Sequence, residues 1–339
     1  MQLIDAAGVE ARLGYPMLVD VLAAAFAAGA SAPPRHHHTM VRDGQPEATL
    51  LLMPAWTSTT GTVAPGRSRA SPNATAGKRP GGYFGTKLVA VSPDNGARGL
   101  PAVQGVYVLS ALDTAQPLAL IDAPRLTVWR TAAASAMASR VLARPDASRM
   151  LMVGAGALAP YLIRAHASVR PIRHVDVWNR SRWRSHALVS ELTGNGTAAA
   201  VGFTLAVADD LEAAARAADL ISTATISSVP IIRGAWLKPG THVDCVGAFR
   251  PDMRETDDEC MRRASVYVDT RAGALHEAGD IMMAMASGAL TAERIAGDLF
   301  DIARGVAPVR HSADEITLFK SVGASLEDLA TAIAVYEAG

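Results

Sequence analysis

Cysteine is nearly absent from this chain. The two present, Cys245 and Cys260, are too few for a disulfide framework and fit a reducing compartment. Net charge is missing as well, since 32 Lys and Arg balance 32 Asp and Glu. A nucleic-acid partner is therefore not expected, because phosphates are held by a basic excess or stripe. No apolar run long enough for a membrane span stands out. Residues 21–30 are too short to cross a bilayer, and residues 1–10 have no basic region that would open a targeting segment. The expectation is a cytoplasmic protein. What is present is apolar mass. With 50% hydrophobic and 19% charged residues the chain can bury a large interior, and 339 residues suit two domains better than one.

Three zones separate by pattern. In the first, up to about residue 126, a helix near 16–28 is followed by strand candidates at 48–53, 86–91 and 103–109. The last two flank a Pro-Asp-Asn-Gly turn at 93–96, a hairpin signal. Residues 57–82 are rich in Ser, Thr, Gly, Pro and Ala and almost empty of large apolar side chains. Such a segment cannot repay its ordering entropy and reads as a mobile surface insert, either a lid or a plain loop. From residue 150 onward short apolar runs at 150–153, 175–178, 203–207, 220–223, 242–246 and 265–268 alternate with helix-like stretches. That alternation implies a parallel sheet with helices on both faces. The third zone, 278–339, reads as mostly helical and is expected to pack back on the first.

The run 150–153 leads directly into Gly154, Ala155, Gly156, Ala157, Leu158 and Ala159, and an apolar-patterned helix follows. Gly154 permits a tight turn, Gly156 lets a pyrophosphate approach the backbone, and Ala159 lets the helix pack close to its strand. Pro160 falls in the first helical turn, where its missing N–H matters little. Residues 150–269 therefore read as a Rossmann-type dinucleotide-binding unit. At the end of its second strand an NAD site places an acid for the ribose hydroxyls. This chain has Asn179, Arg180 and Ser181 there, which suit a 2′-phosphate, so NADPH is the expected cofactor, with NADH a weaker one.

Three cations in the first zone stand out: Arg35, Lys87 and Arg130. Lys87 lies between apolar neighbours on a strand and Arg130 at the start of an Ala-rich helix, positions that suit a charge only when it is paired or meets an anion. A structural ion pair and a substrate carboxylate both satisfy that condition. His36, His37 and His38 cannot all face one metal, because side chains alternate along an extended segment. No metal site is read from the sequence.

Together the stretches 34–35, 52–56, 85–89, 126–134, 153–159, 177–181, 240–242, 247–255 and 317–323 resemble the ornithine cyclodeaminase/μ-crystallin family over nearly the whole chain outside the insert. The resemblance implies an α/β protein: a doubly wound Rossmann domain at 133–296, and an α+β substrate-binding and dimerisation domain from both ends, 1–132 and 297–339. It implies a homodimer. It also implies that Arg35, Lys87 and Arg130 hold a substrate carboxylate, with Lys87 and Arg130 catalytic. Around the dinucleotide it implies Thr223, Ala224, Thr225, Val246, Gly247, Lys320 and Ser321 beside the glycine turn.

Two departures refine this. Where cyclodeaminases carry acids, this chain has Leu51 and Phe249, and cyclodeamination needs carboxylates to shuttle protons. The run 247–255 resembles the branch that reduces cyclic ketimines. The expected activity is NADPH-dependent reduction of Δ1-pyrroline-2-carboxylate to L-proline and of Δ1-piperideine-2-carboxylate to L-pipecolate. Ornithine cyclodeaminase, alanine dehydrogenase and a non-catalytic NADPH-dependent ligand-binding protein of μ-crystallin type are the alternatives. The proton donor stays open between the 36–38 histidines and a water.

Overall fold

The computed structural model describes residues 1–57 and 80–339, and they form two units. The insert expected at 57–82 therefore falls almost wholly outside the described residues. Its first residue, Thr57, ends a strand instead. The Thr57 hydroxyl accepts from the Tyr83 N–H at 3.0 Å, which stitches the chain together on the two sides of that segment.

The first unit comprises residues 1–131 and 324–339. In chain order it holds β1 (Gln2–Ile4), α1 (Ala6–Arg12), α2 (Tyr15–Ala28), β2 (Ala30–Ser31), β3 (His36–Met40) and β4 (Ala48–Thr57). Then come β5 (Tyr83–Val91), β6 (Val103–Ala111), β7 (Pro117–Asp122) and the start of α3 (Ala123–Leu142). The strands make one sheet in the order β1-β7-β6-β5-β4-β2, with β3 also on β4. Only β1 runs parallel to its neighbour. The expected hairpin joins β5 to β6, but its turn is a short 3-10 helix (Pro93–Arg98). Pro93 presets the first φ, and Gly99 closes the helix at φ 68°.

Register decides what each face holds. Met53, Lys87, Tyr107 and Ile121 stand opposite one another in a row, and all four are buried. The chain's last helix (Ser325–Glu337) packs on this side against β4 and β5 as well as against α2. One residue along, Leu52, Leu88 and Val106 point the other way, because side chains alternate along a strand. Leu88 is 40% exposed there.

The second unit, residues 132–323, carries an eight-stranded parallel sheet. Its elements begin with β8 (Arg149–Val153), α4 (Ala159–Val169), β9 (His174–Trp178), α5 (Arg182–Gly194), α6 (Thr197–Val201), β10 (Thr204–Val207), α7 (Leu211–Ala217), β11 (Leu220–Thr223) and β12 (His242–Cys245). After them come α8 (Asp258–Arg263), β13 (Ser265–Val268), α9 (Arg271–Glu277), α10 (Gly279–Ala286), β14 (Ile295–Asp298), α11 (Leu299–Ala303) and β15 (Thr317–Lys320). The order β10-β9-β8-β11-β12-β15-β13-β14 reverses direction between β8 and β11. This is the doubly wound Rossmann arrangement, whose ligand crevice opens at the carboxyl ends of the two strands flanking the reversal.

The tail differs from the sequence reading. Residues 278–323 hold two strands of this sheet, and only 324–339 belong to the first unit. Strand β15 lies between β12 and β13 and is buried throughout, so its four residues show neither helical nor alternating periodicity. Among the described residues no single helix is long and apolar enough to cross a membrane.

Candidate active site

Residues capable of the expected chemistry occur in both units. In the second unit the chain leaves β8 at Gly154, with φ 106°, a conformation that disfavours any side chain. A Cβ there would also lie 2.6 Å from the Ala224 carbonyl oxygen, so only glycine lets β8 and β11 end side by side. The Gly154 N–H donates to the Trp178 carbonyl at 2.8 Å, and the Ala155 N–H donates to the Asn179 side-chain oxygen at 3.2 Å. Asn179 thus ties the turn to the end of β9. A Cβ added to Gly156 would meet nothing within 4 Å. Among the described residues no protein acceptor takes the N–H groups of Gly156, Ala157 or Leu158. An open cradle of N–H groups at a helix start fits a pyrophosphate, so the residues present suit a dinucleotide.

Helix α4 behind this turn is held by a buried polar link. His166 meets Asp244 of β12 at 3.0 Å, and the Ser222 hydroxyl of β11 donates to the same carboxylate oxygen at 2.7 Å. Burial alone would raise the Asp244 carboxyl, but these two partners outweigh it and hold it below the usual carboxylate range.

Beyond β9, Arg180 and Ser181 are exposed, and no acid occupies either position. Arg182 is already paired with Asp209 at 2.6 Å. At the ends of β11 and β12 the structure refines the expected contacts. The hydroxyls of Thr223 and Thr225, each at 2.8 Å, and the N–H groups of Thr225 and Gly247, each at 2.7 Å, all donate to Glu255. Glu255 is fully buried, and burial raises its pKa above the ordinary value against the pull of Lys320. These groups shape the two loops around an internal carboxylate, a role for Glu255 that the sequence reading missed. Val246 follows in the same loop, its N–H on the Thr223 carbonyl at 2.8 Å. Lys320 turns inward. Its ammonium is fully buried, 3.2 Å from the Cys245 carbonyl and 3.7 Å from Asp280, so its charge serves the interior. The neighbouring Ser321 hydroxyl is buried with no hydrogen-bond partner among the described residues.

In the first unit the chain's last helix brings two acids onto the Lys87 face. Lys87 of β5 meets Asp328 at 2.7 Å, and Arg130 of α3 donates from Nε to the other oxygen of Asp328 at 3.0 Å. Arg130 also donates to Glu327 at 2.8 Å. The acid side chains are 0% exposed, whereas Lys87 and Arg130 keep 5% and 7%. The acids therefore back the cations, and the cations hold what little solvent contact the cluster has. Burial pushes the Lys87 ammonium from 10.5 down to about 8, against the attraction of Asp328 and with Arg130 and Arg35 adding to the fall. Burial alone would raise the Asp328 carboxyl, but Lys87 and Arg130 overcome it and keep it low. Arg35, half-buried ahead of β3, acts on the same cluster by charge.

The histidines divide as alternation requires. His36 pairs across to Leu52 and His38 to Leu50, on the face away from Lys87, whereas His37 stands opposite Leu51 on the Lys87 side. Leu51 shares that side with Val89, one alternation along β5 from Lys87. An acid at position 51 would thus fall beside the cation cluster, and the chain has an aliphatic side chain instead. Phe249, the other departure, is 48% exposed past the end of β12.

Residues 53–339 match the model of the ornithine cyclodeaminase/mu-crystallin family. The chain belongs to that family. Among its relatives, a Δ1-pyrroline-2-carboxylate reductase of Paracoccus denitrificans is 44% identical over 73% of this chain and 76% of its own length. The ketimine reductase mu-crystallin of Mus musculus is 34% identical over 74% of this chain and 75% of its own. A solved Δ1-pyrroline-2-carboxylate reductase of Thermococcus litoralis, in complex with NADH and L-proline, superposes with a TM-score of 0.86. It is 28% identical and covers 100% of this chain and 97% of that one. In this chain a Rossmann unit accompanies an α+β unit drawn from both ends of the chain.

Proposed function

We propose that the protein reduces cyclic imines bearing a 2-carboxylate, Δ1-pyrroline-2-carboxylate and Δ1-piperideine-2-carboxylate, to L-proline and L-pipecolate with NADPH. The observation that carries this reading is the pairing of Lys87 and Arg130 on the single carboxylate of Asp328, with the exposed slivers of the cluster belonging to the cations. Two cations gathered on one carboxylate suit a second carboxylate, and the Arg130 guanidinium, turned by Asp328 and Glu327, holds a fixed orientation. Reduction adds a hydride to C2 and a proton to the ring nitrogen, and the dinucleotide supplies the hydride when bound. Lys87, Arg130 and Arg35 fix the carboxylate and so the orientation of C2. Positioning of this kind accounts for much of the rate such an enzyme must supply.

The absence of acids at Leu51 and Phe249 favours reduction over cyclodeamination, which needs proton-shuttling carboxylates. The exposed Arg180 and Ser181 favour NADPH over NADH. The direct test follows NADPH absorbance with each imine, with pyruvate plus ammonia and with ornithine plus NAD as controls. Consumption with either imine, and none with the controls, is the expected result. No consumption with either imine removes the proposal.

The protein is also proposed to be a homodimer. Leu52, Leu88 and Val106 stand side by side on the sheet face of the first unit opposite Lys87, and Leu88 is 40% exposed there. Trp56 and Leu3 extend it, 38% and 78% exposed. A patch of that kind, built by strand alternation, suits a second copy of itself.

A further inference from the structure

Lys87 and Arg130 come from different elements, a strand and a helix, yet they converge on one side chain. We propose that Asp328 is a positioning residue for substrate: its two oxygens set the separation of the two cations and keep Lys87 in its charged form. The proposal rests on the reading of Lys87 and Arg130 as the substrate-carboxylate clamp.

The geometry is specific. Asp328 Oδ2 lies 2.7 Å from the Lys87 Nζ, and Oδ1 lies 3.0 Å from the Arg130 Nε. Glu327, the preceding residue of the same helix, takes the Arg130 Nη1 at 2.8 Å and fixes the rotation of the guanidinium. Both acids sit in the first turn of the C-terminal helix, where the helix dipole favours negative charge, and every residue from Ser325 to Val335 is buried. The anchor is therefore rigid. A lysine without one is a charge on a flexible stem, free to sample positions a ligand cannot use.

The charge state follows from the same arrangement. The groups acting on Lys87 are Asp328 from the C-terminal helix, Arg130 from α3, Arg35 ahead of β3 and the burial itself. Tyr107 of β6 stands across the strand pair, and burial raises its hydroxyl so far that it stays neutral. Burial, Arg130 and Arg35 all favour the neutral amine, and Asp328 is the anion that opposes them. Without that anion Lys87 would lose its proton at lower pH, and the clamp would lose a cation.

The probe is cyclohexanecarboxylate, whose one titrating group is an ordinary carboxyl. It is measured as a competitive inhibitor of imine reduction between pH 6 and 9, with the NADPH Kd followed separately. In the wild type the inhibition constant should stay level up to about pH 8 and rise above it, the point at which Lys87 deprotonates. In Asp328→Asn that rise should begin at least about one pH unit lower, which is a roughly tenfold weaker grip than the wild type's at pH 9. KM for the imine should rise more than kcat falls, and the NADPH Kd should be unchanged. Lys87→Arg, which cannot deprotonate in this range, should abolish the alkaline rise. A wild-type profile in Asp328→Asn overturns the proposal, and so does an alkaline rise that persists in Lys87→Arg. If Asp328→Asn fails to bind NADPH and so has not folded, Asp328→Glu decides: it keeps the anion but moves its oxygens, so KM for the imine should rise while the alkaline rise stays near pH 8, and a wild-type KM there overturns the proposal. Lys87→Met tells the two ideas apart: an unchanged inhibition constant there defeats the clamp itself and with it this proposal.

Discussion

At the scale of single residues, the proposed preference for NADPH rests on Arg180. Its guanidinium stands in solvent past the end of β9, and nothing acidic lies beside it in sequence. Replacing Arg180 with Ala should raise the NADPH KM by roughly ten- to a hundredfold, the scale of a lost hydrogen bond to a charged group, and leave the NADH KM nearly unchanged. Salt should shrink the difference, because an exposed pair is screened. Steady-state kinetics with both cofactors at two ionic strengths gives the answer, and equal effects on the two would defeat the NADPH assignment. Lys87 and Arg130 were conspicuous in the sequence because a charge among apolar neighbours needs an explanation. Their partners were not, since Asp328 lies 198 residues from Arg130 along the chain. The one hint was an acid pair inside an otherwise apolar helix, and that pattern also describes an ordinary capped helix start.

Elements hold these residues in place, and Gly154 shows how tightly. Gly154→Ala should destabilise the fold by about 1–3 kcal/mol, because alanine resists a φ of 106° and its methyl would press on the Ala224 carbonyl. Urea titration measures the loss, and NADPH affinity should fall with it as the turn moves. A wild-type denaturation midpoint would show that the turn adapts without strain. Glu327→Ala should be harsher, about 3–5 kcal/mol, since it leaves the buried Arg130 short of a counter-charge. The strand-turn-helix from β8 into α4 was legible in the sequence because its contacts are local: an apolar run, two glycines and a proline in the first helical turn. Strand β15 was not legible. Its neighbours β12 and β13 come from elsewhere in the chain, and four buried residues give no period to read.

For the whole molecule, the prediction concerns the face of the first unit's sheet that carries Leu88. Leu88→Glu places a charge at its centre, opposite Leu52 and Val106. Sedimentation equilibrium should show a dimer for the wild type and a shift toward monomer for the variant, with NADPH still bound. A wild-type monomer at micromolar concentration would exclude the dimer proposal. The sequence by itself determined the α/β class, the dinucleotide turn and the three cations, because periodicity, glycine geometry and misplaced charge act within a few residues. Tertiary structure alone decided that Glu255 receives hydrogen bonds from Thr223, Thr225 and Gly247, and that Lys320 turns inward. It alone set Asp328 between Lys87 and Arg130. Those outcomes depend on which distant segments share a buried volume, and a buried charge takes whichever counter-charge the packing brings within reach.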